Sequence, residues 1–272
     1  MPLTTPSSLK ISPVWAPSDP DAAAYIAAVE AADTAAGSPG GLEELTKVAI
    51  DNFVRGCKED GIWTAIKASC ILAGARTLAG ALVPLVGPAP ANVGPFTSSE
   101  YNRRTGIQGG SSGKYISTQV DNSSPLYGTQ NSKHVAIYSP LTSANFSRTY
   151  IAGGNTRITV AISLQTFLGM AVNSAGINIA DTHQLNSTDF PFMGISRSNN
   201  LDFIYRARGT NGIATRSSTS PTSGTFALFW DGATAYTNCR ISFYSIGESL
   251  HLTLLDARVT DLMNALSAAI PP

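Results

Sequence analysis

Leu201-Asp202-Phe203-Ile204-Tyr205-Arg206 places Leu201, Phe203 and Tyr205 on one face of an extended chain, because successive strand side chains point to opposite sides. The same kind of short run, bounded by Gly or Pro, recurs at 69–72, 81–86, 114–119, 134–139, 156–164, 192–196, 225–230 and 240–246. Roughly ten to twelve such runs at short spacing predict antiparallel strands in a two-sheet sandwich. No strand–helix–strand rhythm is present, which argues against a parallel α/β fold. Within 225–230 the alternation sets Phe226, Leu228 and Trp230 on one face, so the reading puts Trp230 in the core with the other two.

Helical patterns flank this β-rich stretch. Residues 1–18 carry four prolines together with Leu3, Leu9, Ile11, Val14 and Trp15, and read as an extended arm that packs on something. Asp19-Pro20-Asp21 opens a helix, with Asp19 as N-cap and Pro20 at the first helical position. A second helix is predicted from the stripe Leu42, Leu45, Ala49 and Phe53, with Ile50, Val54 and Cys57 beside it. Residues 62–67 are read as one further helical turn. Near the C-terminus Leu255, Val259, Leu262, Met263, Leu266 and Ile270 repeat at helical spacing. Thr253 and Asp256 there have the spacing of a capping box. The chain thus divides into an arm (1–18), a helical attachment segment (19–67) and a sandwich (68–272) ending in a helix over 253–270.

Composition narrows the function classes. Charged residues make up only 13% of 272 residues, and 18 basic residues balance 18 acidic ones. There is no basic field for nucleic acid and no polybasic segment for anionic lipid. Cys57, Cys70 and Cys239 form no metal-ligand spacing and, being odd in number, no disulfide framework. They are expected to be buried, in a protein made in a reducing cytoplasm. The N-terminal residues have no secretory-signal pattern, and no apolar run suits a membrane span. The sequons at Asn122, Asn145 and Asn186 are read as coincidental.

The run Tyr101-Asn102-Arg103-Arg104-Thr105-Gly106-Ile107-Gln108-Gly109, continuing through Lys114-Tyr115-Ile116, resembles the opening strands of concanavalin-like and laminin-G-like sandwiches. Residues 239–250, Cys239-Arg240-Ile241-Ser242-Phe243-Tyr244-Ser245-Ile246-Gly247-Glu248-Ser249-Leu250, look like the last strand of that fold. A jelly-roll sandwich of that kind is therefore implied. A group of tailed-bacteriophage structural proteins is resembled more specifically, through residues 50–63, 73–87 and 243–250, so that the likeness covers about 42–272. It implies a virion component (tail fibre, neck or capsid decoration) with a lectin-like domain, partnered by other virion proteins and by a host-surface glycan. Such proteins assemble as small rings, and a homotrimer through the N-terminal third is expected.

Few residues suggest chemistry. His134, His183 and His251 share no metal-binding spacing, and His134 is expected at a strand edge. Glycoside hydrolysis needs paired carboxylates, whereas Glu248 is the single glutamate after Glu100, and Asp121, Asp181, Asp189, Asp202 and Asp231 are isolated. No catalytic residue is assigned and no enzyme is expected. The rivals are a polysaccharide depolymerase on the same fold and a free soluble lectin. No cofactor is expected; calcium is the one ion for which loops at Asp121-Asn122, Asp181 and Asp231-Gly232 hold suitable oxygens. Trp230 and Asp231, followed by Tyr236 and Asn238, with Tyr127 in a polar loop, combine aromatic rings with polar groups and are the candidate carbohydrate-binding residues.

Overall fold

The computed structural model describes residues 15–110, 113–140, 148–162, 166–180, 191–233 and 236–271. Arm residues 1–14, Asp181, His183, Asp189 and the sequons Asn145 and Asn186 lie outside the described residues. In chain order the elements are α1 (Pro20–Ala35), α2 (Glu44–Glu59), β1 (Ile66–Ile71), a one-turn α3 (Leu78–Ala81), β2 (Ala91–Val93), β3 (Tyr101–Asn102) and β4 (Gly106–Gln108). Next come β5 (Tyr115–Asp121), β6 (Lys133–Tyr138), β7 (Arg148–Gly153), β8 (Thr156–Ile162), β9 (Thr166–Ala171), β10 (Ile177–Ala180), β11 (Phe192–Arg197) and β12 (Asp202–Ala207). β13 (Thr210–Thr215), β14 (Thr225–Leu228), β15 (Arg240–Ile241), β16 (Phe243–Gly247) and α4 (Leu252–Ala269) complete the chain.

Two large sheets form the sandwich, ordered β1-β16-β6-β11-β12-β13 and β10-β9-β8-β7-β14-β5-β2, with β15-β4-β3 as a small third sheet. Every pairing among the described strands is antiparallel. The expected mainly-β sandwich with N-terminal helices and a C-terminal helix is the observed architecture. Its interior takes alternate side chains from each sheet: Ile116, Val120, Ile158, Met170, Phe226 and Leu228 from one, Val135, Ile137, Met193, Ile195, Tyr244 and Ile246 from the other.

A second core lies outside the six-stranded sheet. There Ile71, Ala136, Tyr138, Phe192 and Phe243 meet Val29 of α1, Ile50, Phe53 and Val54 of α2, and Leu255, Val259, Leu262 and Leu266 of α4. The rings of Phe53 and Phe243 touch edge to face at 5.7 Å. Bidentate ion pairs tie the helices in: Arg103 to Glu43 at 3.1 and 2.6 Å, and Arg258 to Asp60 at 2.7 and 3.0 Å. The apolar helix faces on which the ring expectation rested are buried here, within one chain.

Several local expectations change. Leu45 is exposed and Thr46 is buried in its place, because the stripe of α2 turns toward the sheet and α4. Leu201 is exposed just ahead of β12, although Phe203 is buried. Residues 63–65 form a 3-10 turn and Ile66 already begins β1, inside the stretch assigned to the helical segment. The 81–86 run is not a strand: Ala81 ends α3, and Val86 bridges only to Ser69. α4 starts at Leu252 without a side-chain cap, since Thr253 Oγ1 accepts from Asn211 at 3.0 Å and Asp256 pairs with Arg206 at 2.6 Å. Asp19 caps α1 as expected, accepting from the backbone N–H groups of Asp21 and Ala22.

His134 is not at an edge. β6 is interior to its sheet, and His134 is fully buried. Its Nδ1–H donates to the Glu248 carbonyl, leaving Nε2 to accept from Ser245 Oγ at 2.7 Å. Burial pushes its pKa down to about 4.

Candidate functional site

Among the described residues no helix covers the outer face of the seven-stranded sheet, which differs in character from the other. Register places Ser117 opposite Ala227, Ala227 opposite Ala152, Ala152 opposite Arg157, and Arg157 opposite Ala171. Directly opposed residues share a face, so these five form one row across five strands. Small residues in that row leave a depression. Tyr115 and Trp230 wall it on one side, and Gly153, Gly154 and the 223–225 segment rim it on the other. The cavity measures ≈510 Å³, within the range of small-ligand sites.

Trp230 reaches this face through a break in alternation. Phe226 and Leu228 are buried in the interior as expected, and strict alternation would send Trp230 after them. Phe229 instead adopts φ +70°, a left-handed conformation that a bulky residue rarely takes. Its N–H donates to Tyr150 O at 3.1 Å and its carbonyl accepts from Thr237 N at 2.9 Å. The Phe229 ring fills the core against Phe96 at 5.5 Å. Gly109 makes room, since a side chain there would collide with that ring and with the Thr237 carbonyl. Phe229 thus takes the core place expected of Trp230, and the indole turns outward. It lies 4.6 Å from the Tyr115 ring and stacks on Tyr236 at 6.2 Å and 13°.

Trp230, Asp231 and Tyr236 therefore come together, and Tyr115 joins them although sequence reasoning passed it over. Its signal was present: Tyr115 and Ser117 share the strand face opposite the buried Ile116. Tyr127 is elsewhere, in a 3-10 turn packed on the sandwich core. Asn238 is exposed beside β15, its carbonyl accepting from Gln108, and does not line the trough. Asp231 does, with Oδ1 accepting from Ala233 N at 2.9 Å.

The rim is held by Asp121, which accepts from Ser123, from Ser223 Oγ at 2.9 Å and from Gly224 N at 3.0 Å. Hydrogen bonding, first from the Ser123 hydroxyl, draws its pKa down to about 2. The neighbouring Asn122 was considered a calcium ligand, but the protein supplies its own cation there. The buried Lys133 Nζ donates to Asn122 O at 2.5 Å and Asn122 Oδ1 at 3.0 Å. Burial lowers its pKa to about 8. Among the described residues no group of three or more His, Cys, Asp or Glu could hold a metal. A smaller cleft of ≈330 Å³ between α2 and α4 has Arg55, Glu59 and Arg258 on its walls. These charges pair with one another or with Asp60, and Phe53 on its wall is buried against Phe243.

No protein-family model and no curated sequence matches the chain. Solved structures similar to it include a mutant of Trypanosoma rangeli sialidase displaying trans-sialidase activity, at 9% identity and TM-score 0.48, over 80% of this chain and 39% of that one. The receptor-binding domain of botulinum neurotoxin mosaic serotype C/D matches at 13% identity and TM-score 0.48, over 72% and 50%. The CBM40 domain of a Ruminococcus gnavus sialidase matches at 12% identity and TM-score 0.35, over 55% and 96%. The chain thus spans well under half of the sialidase it matches. Likenesses this distant assign no ligand or activity here.

Proposed function

We propose that this chain is a non-enzymatic glycan-binding module whose ligand lies in the trough on the seven-stranded sheet. The observation that carries the reading is the outward turn of Trp230 at the strained Phe229, which takes a large apolar ring out of the core to wall a small-residue floor. Strain of this kind costs about 1–3 kcal/mol and is concentrated at functional sites. An aromatic wall facing polar groups suits the apolar face and hydroxyl edge of a sugar ring. Of the residues lining the trough, the sole carboxylate among those described is Asp231, whereas glycoside hydrolysis uses two. That favours binding over cleavage.

The test is a glycan array followed by calorimetric titration of the best ligand. Trp230→Ala should weaken binding about tenfold or more, the scale of removing an aromatic anchor, with an unchanged melting temperature as folding control. Undiminished binding by that variant would place the ligand elsewhere, and release of shortened glycan would make the protein a depolymerase.

The wider setting rests on sequence resemblance alone. Residues 50–63, 73–87 and 243–250 support a virion tail-fibre, neck or decoration component, with the glycan on a host surface. Mass spectrometry of purified particles tests this, and absence of the chain from them would remove the virion reading.

A further inference from the structure

We infer that β13 is a self-pairing edge, at which a second copy of this chain adds antiparallel and joins two six-stranded sheets into one. β13 is the last strand of its sheet, and such a strand leaves a row of main-chain N–H and C=O groups open. Arg208 and Gly209, at φ +53° and +68°, form the two-residue turn between β12 and β13. In such a hairpin the residues flanking the turn, here Ala207 and Thr210, exchange both of their bonds. Alternation then makes Tyr205–Gly212 and Phe203–Ala214 the next bonded pairs. The main-chain groups of Asn211, Ile213 and Thr215 therefore point away from β12, and all three residues are exposed.

Edges are ordinarily guarded by charge, proline, a bulge or a cover. The opposite edge of this sheet is covered: Ser69 of β1 donates to Val86 O and accepts from Leu85 N, both at 2.9 Å. β13, Thr210-Asn211-Gly212-Ile213-Ala214-Thr215, holds no charge and no proline, and its register with β12 runs without a shift. Ile213 is 70% exposed, and Ile204, directly opposite on β12, is 42% exposed. Asn211 Nδ2 ties the strand to α4 through Thr253 Oγ1 at 3.0 Å, which fixes the edge in place before any partner arrives. The edge is complementary to itself. A two-fold axis at Ile213 sets Ile213 against its own copy and Asn211 against Thr215, in each case through the outward-pointing groups. The two Ile204–Ile213 pairs then form one apolar row across the junction. Thr210 falls opposite Arg216, so no like charges meet, and the zero formal charge of the chain adds no repulsion at longer range. Directly opposed residues share a face, so both helix layers lie on one side of the joined sheet and both troughs on the other. Two troughs facing one glycan-bearing surface are the one consequence here that rests on the trough reading.

A six-residue edge spans about 20 Å, the scale of small, weak interfaces, so the dimer forms by mass action. Analytical ultracentrifugation of the full chain from about 5 to about 500 µM should show the mass rising from one chain toward two. Ile213→Lys brings two ammonium groups together at the axis and should keep the protein monomeric throughout, with an unchanged melting temperature. Ile213→Cys should cross-link to a dimer under mild oxidation, because a bonded pair brings its Cα atoms to about 5.5 Å. Thr210→Cys, about 20 Å from its own copy, should not. Trp230→Ala should associate as wild type does, which separates the pairing from the trough. A wild type monomeric at every concentration overturns the inference and leaves the edge to a strand of another protein. Association that survives Ile213→Lys, equal cross-linking of the two cysteine variants, or association lost in Trp230→Ala also overturns it, by placing the contact elsewhere.

Discussion

The two outer faces of the sandwich carry comparable rows of side chains with opposite sizes. On the six-stranded sheet Ile71, Phe243, Tyr138 and Phe192 are in register across four strands, and three helices cover them. On the seven-stranded sheet the matching position in the architecture is filled by Ser117, Ala227, Ala152, Arg157 and Ala171, with no helix above among the described residues. A face of large apolar residues must be covered, since leaving it in water forfeits about 25 cal/mol per Å². A face of small residues has little to gain from a cover and leaves room for a ligand. Side-chain volume thus separates a structural face from a binding face on the same scaffold.

The largest test of that contrast is Phe243→Ala. It empties the contact with Phe53 and should destabilise the protein by about 3–5 kcal/mol, read from urea unfolding midpoints at constant slope. A loss below about 1 kcal/mol would mean that the helices do not depend on this row.

Next is a pH effect confined to the helix-covered sheet. The folded pKa of His134 is about 4 against an unfolded value near 6.5. The unfolded state therefore binds the extra proton between these values, and stability falls as pH drops from about 6.5 to about 4. The full loss is about 3 kcal/mol, measured as the difference between wild type and His134→Gln in unfolding free energy across that window. Equal pH profiles for the two proteins would refute it.

On the open face, Ala152→Leu should fill the trough and reduce glycan binding about tenfold or more while moving stability by under about 1 kcal/mol, because its new side chain meets solvent or ligand and no core. Titration and thermal melting of the same preparation separate the two effects. The smallest expected change is Ser117→Ala, within about 0.5 kcal/mol in stability. If it matched Phe243→Ala in cost, the open face would be core after all.

Much of this was legible beforehand. Alternation in 114–119, 134–139 and 201–206 marked strands because period-two patterns need only the local geometry of an extended chain. Asp19-Pro20-Asp21 marked a helix start for an equally local reason. Errors fell where a neighbour from far along the chain intervened. Thr253 looked like a cap but is engaged by Asn211, and Leu45 looked buried but faces away from the sheet. His134 looked like an edge residue, yet strands far away in the chain close over it on both sides.

The candidate site shows the same division. Aromatic and polar residues near 230–236 were visible as a composition, and three of the five residues chosen from it do converge. Tyr127 and Asn238 do not, and Tyr115, distant in sequence, does. Local pattern determined the strands, the terminal helices and the sandwich class, because these depend on interactions within a few residues. Tertiary structure alone decided which face each strand shows to a helix, to the core or to solvent. It forced Phe229 into a left-handed turn because its ring fills the cleft beside Phe96 and above Gly109, and so sent Trp230 outward.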